Sequence, residues 1–457
     1  MKQSWLSVPA VAFLAVFSAS AALASDGDPA KASPAPSPSA SSPPPSNPAA
    51  PQEKDGAVKP AEAGLGPTMS LGNVARVSFK PGTGAVIASN DDKFSLTLRA
   101  RMQLRYDAEI PHEEGEEPDQ IFQLRRMRLV FAGHAFGKHN KFYVQLGLSP
   151  RDQTGGLLTD EPQIRYNPVR DARIELDYLR DLTLMLGQMK VPFSRQRVVS
   201  SGNLEMVDRS LVNEELQLDR DLGIVVLSKD LFGLNRLAYS LGVFMGEGRN
   251  AFEPADFGML WVARAEWLPF GKFDDYSEGD LARSTKPGLS LGVAYAFHDN
   301  AKGMRSVHGD KPKDGGTTDY HHLNADLLFK YHGLATQVSF HYRNGSRNPG
   351  DAVDETGAPI PADLPRNGIG LLAQVSYMLP WLDLQAIGRY STVRNTEPQT
   401  SSMPGRSELG AGLSYYVGGH AYKVQVDYTR LWDEEAGQTD AITRGTDRIR
   451  AQIQLSL

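Results

Sequence analysis

From Phe94 to the last residue the chain alternates apolar and polar side chains with a period of two, the spacing that puts one set on each face of a β-strand. In Phe94–Asp107 the residues Phe94, Leu96, Leu98, Ala100, Met102, Leu104 and Tyr106 alternate with Ser95, Thr97, Arg99, Arg101, Gln103, Arg105 and Asp107. The pattern returns in Leu289/Leu291/Val293/Tyr295/Phe297, in Leu323/Ala325/Leu327/Phe329/Tyr331 and in Tyr422/Val424/Val426/Tyr428. About sixteen such runs are predicted, starting near residues 94, 122, 141, 172, 182, 223, 236, 259, 287, 320, 334, 368, 382, 407, 420 and 447. The run near Gly223–Ser228 alternates poorly.

The links between runs alternate too. Short ones fall at Gly137–Asn140, Arg180–Asp181, His332–Gly333, Pro380–Trp381 and Gly418–Gly419, and long polar ones lie between them. The link from Pro269 to Pro287 breaks the rule, being long where a short turn is expected. An even number of strands with short turns on one rim and long loops on the other is the organisation of a bacterial outer-membrane barrel. A sandwich would bury its apolar face inside and needs no such alternation. The final run keeps Ile449, Ala451, Ile453, Leu455 and Leu457 on one face to the last residue, which suits closure of a lipid-facing barrel. Aromatics near run ends, among them Tyr106, Trp261, Trp267, Phe297, Tyr331, Tyr342, Tyr377 and Trp381, are placed as interfacial girdles. The fold class is therefore all-β, a transmembrane antiparallel barrel of about sixteen strands.

The N-terminus changes the picture of where the chain goes. Lys2, an apolar run from about Val8 to Ala22 and the small-residue pattern Ala22-Leu23-Ala24 read as a signal peptide over residues 1–24. Residues 25–67 are Ala, Pro and Ser with few apolar side chains, too few to offset the entropy of ordering, and read as a disordered periplasmic linker. The barrel is assigned to residues 68–457. After the leader no apolar stretch reaches the ~18 residues of a spanning helix, so a membrane location requires strands. There is no cysteine, which excludes disulfides, thiolate metal sites and a lipid anchor on Cys. The net charge of −6, with no polybasic block, gives no reason to expect nucleic acid.

The segment Gly187-Gln188-Met189-Lys190-Val191-Pro192-Phe193-Ser194, then Ser200-Ser201 and Arg220-Asp221-Leu222-Gly223-Ile224, resembles the phosphate- and pyrophosphate-selective porin family. The opening Phe94-Ser95-Leu96-Thr97-Leu98-Arg99 and the run Arg125-Arg126-Met127-Arg128-Leu129 are similar to that family as well, and the likeness extends from about Leu71 to Leu457. The resemblance implies a sixteen-stranded, homotrimeric, anion-preferring outer-membrane channel with Arg and Lys lining its constriction. Its basic pore positions fall on Arg125, Arg126, Lys141 and Lys190. Two departures stand out: the chain ends in Leu457 where such barrels usually end in an aromatic, and the polar faces also carry Asp107, Glu175, Asp177, Asp326, Asp383 and Asp427.

Alternation sends Arg126 and Arg128 opposite to Met127 and Leu129, hence toward water, and leaves Arg125 ambiguous. The pore-lining candidates are Arg99, Arg101, Arg105, Arg126, Arg128, Lys141 and Lys190. Arg suits phosphate because its planar fork gives two parallel hydrogen bonds, while Lys offers a point charge. The expected partners are small anionic solutes such as phosphate, together with outer-membrane lipid and lipopolysaccharide. The acidic loop Ile110–Gln120 reads as a solvated mouth, and whether the charged loop Val198–Asp221 folds inward stays open.

No cofactor, metal or catalytic residue is assigned. Gly288-Leu289-Ser290-Leu291-Gly292 fits a nucleophile-elbow pattern but lies in a strand, and Gly368–Ala373 mimics a dinucleotide fingerprint without opening a helix. His321, His322, His332 and His341 have no carboxylate at ligand spacing. Two other functions remain in view: a plugged structural or adhesive barrel, and an outer-membrane barrel hydrolase.

Overall fold

The computed structural model describes residues 69–71, 75–113, 115–153, 167–249, 258–397, 399–434 and 441–457. The expected signal peptide and linker lie outside the described residues. Three short strands come first: β1 (Met69–Leu71), β2 (Ala75–Lys80) and β3 (Gly84–Ser89). Sixteen antiparallel strands then form a closed barrel. They are β4 (Ser95–Pro111), β5 (Asp119–His134), β6 (Asn140–Gly147), β7 (Val169–Leu179), β8 (Leu182–Lys190), β9 (Arg220–Ser228), β10 (Leu237–Phe244), β11 (Leu260–Trp267), β12 (Gly288–Ala301), β13 (Thr317–Tyr331), β14 (Leu334–Asn348), β15 (Gly368–Met378), β16 (Leu384–Asn395), β17 (Arg406–Gly418), β18 (Tyr422–Asp433) and β19 (Thr446–Ser456).

Each strand pairs with the next, and β19 returns to β4 in a register running from Thr446 opposite Pro111 to Ser456 opposite Arg101. The closed ladder leaves the barrel without a free edge, which hydrocarbon demands. At its first residues β4 extends past the end of β19. There β3 takes the free edge, from Ala85 opposite Leu98 to Ala88 opposite Ser95, and covers what would be an unpaired template. These three short strands are absent from the sequence reading, whose first run begins at Phe94.

The outward set is apolar and open to lipid: Trp261, Trp267, Tyr331, Tyr377 and Trp381 are all exposed, as are Ile449, Ile453 and Leu455. The inward set is polar, and much of it is buried because the interior is occupied. Residues 191–219, between β8 and β9, fold into the barrel, and from the opposite rim the link 268–287 does the same. The weak alternation of β9 follows from this. Leu222 and Ile224 face lipid while Val225 and Leu227 face inward under the loop, so both faces of the strand are apolar.

Candidate functional site

Two apolar footings hold residues 191–219 in the lumen. At the base, Val191, Phe193 and Leu218 bury against Val225, Leu227, Phe244, Leu260 and Val262 on the inner face of β9–β11. Further round, Leu211, Val212 and Leu216 of a short helix (Leu211–Leu216) pack on Val393 and Met403. The Ser210 hydroxyl caps this helix by accepting from the Asn213 backbone N–H at 3.2 Å.

Between the footings the wall strands hydrogen-bond the loop. Arg101 donates to the Ser200 and Ser201 hydroxyls at 3.0 and 2.9 Å, and Gln103 to the Ser201 carbonyl at 3.1 Å. Lys423 donates to the Leu204 carbonyl, and Asp427 accepts from the Val207 N–H at 3.0 Å. On the helix itself, Glu215 accepts from Arg343 and Arg366.

The loop and the wall enclose two cavities of about 410 and 430 Å³ that share Arg125, Arg126, Arg151, Arg197 and Arg209. Eleven cationic side chains and three carboxylates line the larger. Some guanidiniums are matched by wall acids, as Arg128 by Asp152 at 3.0 and 2.9 Å and Arg220 by Asp171 at 3.2 and 3.0 Å. Arg197 and Arg209 feel the surplus. Burial, then the neighbouring Arg126, pushes Arg209 down to about 9. Burial, then Arg209 and Arg220, pushes Arg197 well below the usual arginine range. Buried guanidiniums outnumber carboxylates on these walls, which leaves the cavity lining net positive.

Of the sequence candidates, Arg105, Arg126, Arg128 and Lys190 border one or other cavity. Lys190 turns its ammonium to the Val198 and Val199 carbonyls at 2.8 and 3.1 Å. Arg101 is engaged by the loop serines, as above. Arg99 sits nearer the short-turn rim, its Cγ facing the backbone of Gly84. Lys141 pairs with Asp177 and borders neither cavity.

The ambiguity at Arg125 resolves through a β-bulge: Gln103 faces Arg126 and Leu104 faces Leu124, leaving Arg125 as the extra residue. Both Arg125 and Arg126 therefore reach the lumen, where each donates to Asp208. Sequence reading misses Arg151, Arg170, Arg197, Arg209, Arg249 and Arg305 as cavity residues. They lie in loops or at strand ends, where alternation gives no direction; only the charged loop Val198–Asp221 points to a role for one of them, Arg209.

Most of the acids noted on the polar faces are partnered: Asp107 by Arg105, Glu175 by Arg173, Asp326 by Arg195 and Arg264, and Asp427 by Arg450. Asp383 is different, since it sits in the turn before β16 and is exposed. The long link 268–287 supplies a second acidic patch. Glu278 accepts from the Glu205 N–H at 3.0 Å, and the Gln374 amide reaches Glu205 at 2.5 Å and Glu278 at 3.4 Å. Burial, then the adjacent Glu278, raises the Glu205 carboxyl to about 7. Asp280 pins the link by accepting from the Ser284 and Gly333 N–H groups, both at 2.8 Å.

Ser290 lies inside β12; its hydroxyl donates to Asp275 at 2.9 Å and accepts from Arg195 at 2.8 Å. The Gly368–Ala373 segment is likewise in a strand, β15. His322 and His341 face inward and each meets the Phe193 ring edge-on, whereas His321 lies outward against Phe297 in a tilted contact. Among the described residues no group of three or more His, Asp or Glu is placed to hold a metal ion.

No curated protein sequence matches the chain. In the solved structures, the barrel is similar to Salmonella typhi OmpF in complex with daunomycin, at 13% identity over 80% of this chain and 99% of that one, with a TM-score of 0.50. It is also similar to the outer membrane channel DcaP of Acinetobacter baumannii, at 11% identity over 81% of this chain and 99% of that one, TM-score 0.48. A third likeness is to the trimer form of Vibrio cholerae OmpT, at 10% identity over 79% and 99%, TM-score 0.44. At such identity the likeness to OmpF describes the fold alone. The sequence signature described as phosphate-selective porin O and P matches residues 96–325, taking in the double arginine, the Lys190 segment and the inward loop. The chain belongs to that family and is an outer-membrane porin.

Proposed function

We propose that the barrel is a water-filled, anion-preferring diffusion channel for small solutes of the phosphate type. The reading is carried by the cationic excess where the inward loop meets the wall, with eleven cationic groups against three carboxylates around the larger cavity. Such a cluster lowers the barrier for an anion while many shared, moderate contacts let it leave. The pore-lining set is Arg105, Arg126, Arg128 and Lys190, with Arg99, Arg101 and Lys141 along the approach. The working unit is a homotrimer bedded in lipid and lipopolysaccharide, as the family's resemblance implies. Planar-bilayer recording on the purified protein tests this. Stepwise chloride conductance blocked by added inorganic phosphate is the expected result, and anion bias without block leaves a general porin.

The link 268–287, drawn into the barrel against the loop, favours a second reading, a plugged structural barrel. A folded, heat-modifiable protein that passes no current selects it.

A further inference from the structure

Asp208 differs from Asp171, Asp326 and Asp427, which neutralise arginines from within the wall strands. It belongs to the inward loop rather than to a strand, and its carboxylate receives Arg105 at 2.7 Å, Arg126 at 2.9 and 3.2 Å and, more loosely, Arg125 at 3.3 Å. The backbone N–H of Arg209 also donates to it, at 3.0 Å. One carboxylate thus occupies a cage of guanidiniums drawn from β4 and β5, on the wall of the smaller cavity. By contrast, Arg450 and Asp427 in the same region form a two-point pair at 2.7 and 2.9 Å between neighbouring strands. Burial raises the Asp208 carboxyl, but Arg126, Arg125 and Arg105 together hold it well below the usual carboxylate range, so it stays anionic.

An oxyanion of tetrahedral phosphate type presents to this cage the same donors' partners that Asp208 presents. A cage of three cations with nothing in it would hold such an ion too long for conduction. We propose that Asp208 is a tethered counter-anion: at rest it fills the Arg105–Arg125–Arg126 subsite, a passing phosphate-type oxyanion takes its place, and its return releases that ion. The inference rests on the anion-channel reading and makes Asp208 a residue that sets solute affinity and residence.

The test is block of chloride current by inorganic phosphate in four proteins: native, Asp208→Asn, Asp208→Glu and Glu109→Gln. Glu109 borders the same cavity, where it pairs with Arg448. The half-blocking concentration is expected to fall about tenfold in Asp208→Asn, the scale of one charge-assisted contact, with longer blocked dwells. Asp208→Glu is expected to move back toward native, and Glu109→Gln to shift less than about twofold. An equal shift in Glu109→Gln reduces the effect to general charge and overturns the proposal. So does a rise in chloride conductance without tighter block, which marks a merely loosened loop. A native channel with no anion bias overturns the parent reading instead, whereas an anion-biased native channel with Asp208→Asn unchanged overturns this inference alone.

Discussion

Arg195 donates from Nε to Asp326 Oδ1 at 2.7 Å, and both side chains are about 1% exposed. The pair joins the inward loop to β13, and Arg195 also reaches Asp275 of the inward link and Glu266 of β11. Removing Asp326 takes one acid from a buried network in which Arg195 keeps Glu266 and Asp275 and Arg264 keeps Glu266, so the loss falls below the about 3–5 kcal/mol of breaking an isolated buried pair. Asp326→Ala is therefore expected to lower the unfolding temperature of the barrel on heat-shift gels and to make chloride current larger and noisier. Unchanged current with unchanged heat stability places the loop's anchorage elsewhere.

Gly187 explains why the segment before Lys190 begins with glycine. It adopts φ +127°, and a Cβ there would lie 2.2 Å from the Ala172 carbonyl oxygen. Gly187→Ala is expected to lose about 1–3 kcal/mol from backbone strain, and more from the displaced β7. Gly419, at φ +55° with nothing within 4 Å of its Cβ position, is the comparison. Gly419→Ala is expected to cost only about 1–2 kcal/mol, so folded yield separates the two.

The contact of Glu205 with Glu278 gives the protein a pH response. A carboxyl raised in the folded state favours folding while protonated, and that contribution is lost as pH rises from the ordinary range near 4.5 through about 7. Lys330 and Lys423 oppose the effect without cancelling it. Heat stability is expected to be lower at pH 8.5 than at pH 5.5, with Glu205→Gln flattening the difference. A steeper pH dependence in Glu205→Gln contradicts the assignment.

Arg126 and Arg128 lie on one face of β5, bound to Asp208 and Asp152. Replacing both by alanine is expected to cut the anion-to-cation permeability ratio about thirtyfold, since each removes roughly 1 kcal/mol of attraction at a few ångströms. Reversal potentials measure this, and an unchanged ratio removes these two residues from the selectivity account.

The barrel was legible because lipid and lumen impose opposite demands on successive residues, and β4, β13 and β18 write that demand plainly. β9 was nearly illegible because the loop above it supplies an apolar inner environment to Val225 and Leu227. β1–β3 escaped because they are short: β2 alternates over only six residues, and β3 is apolar on both faces. The cationic cluster was only half legible. Alternation assigns Arg126 and Arg128, but a one-residue bulge decides Arg125, and tertiary folding of the loop delivers Arg197 and Arg209. The overlong link 268–287 was visible as an exception, but its reach into the barrel depends on contacts by Asp280, Glu278 and Asp275 that no local pattern encodes.

The most direct measurement is the zero-current potential of the native protein in a planar bilayer across a tenfold potassium chloride gradient. The cationic cluster at the loop requires the potential to take the sign set by chloride, by tens of millivolts. A potential near zero, or one of the sign set by potassium, contradicts an anion-preferring channel.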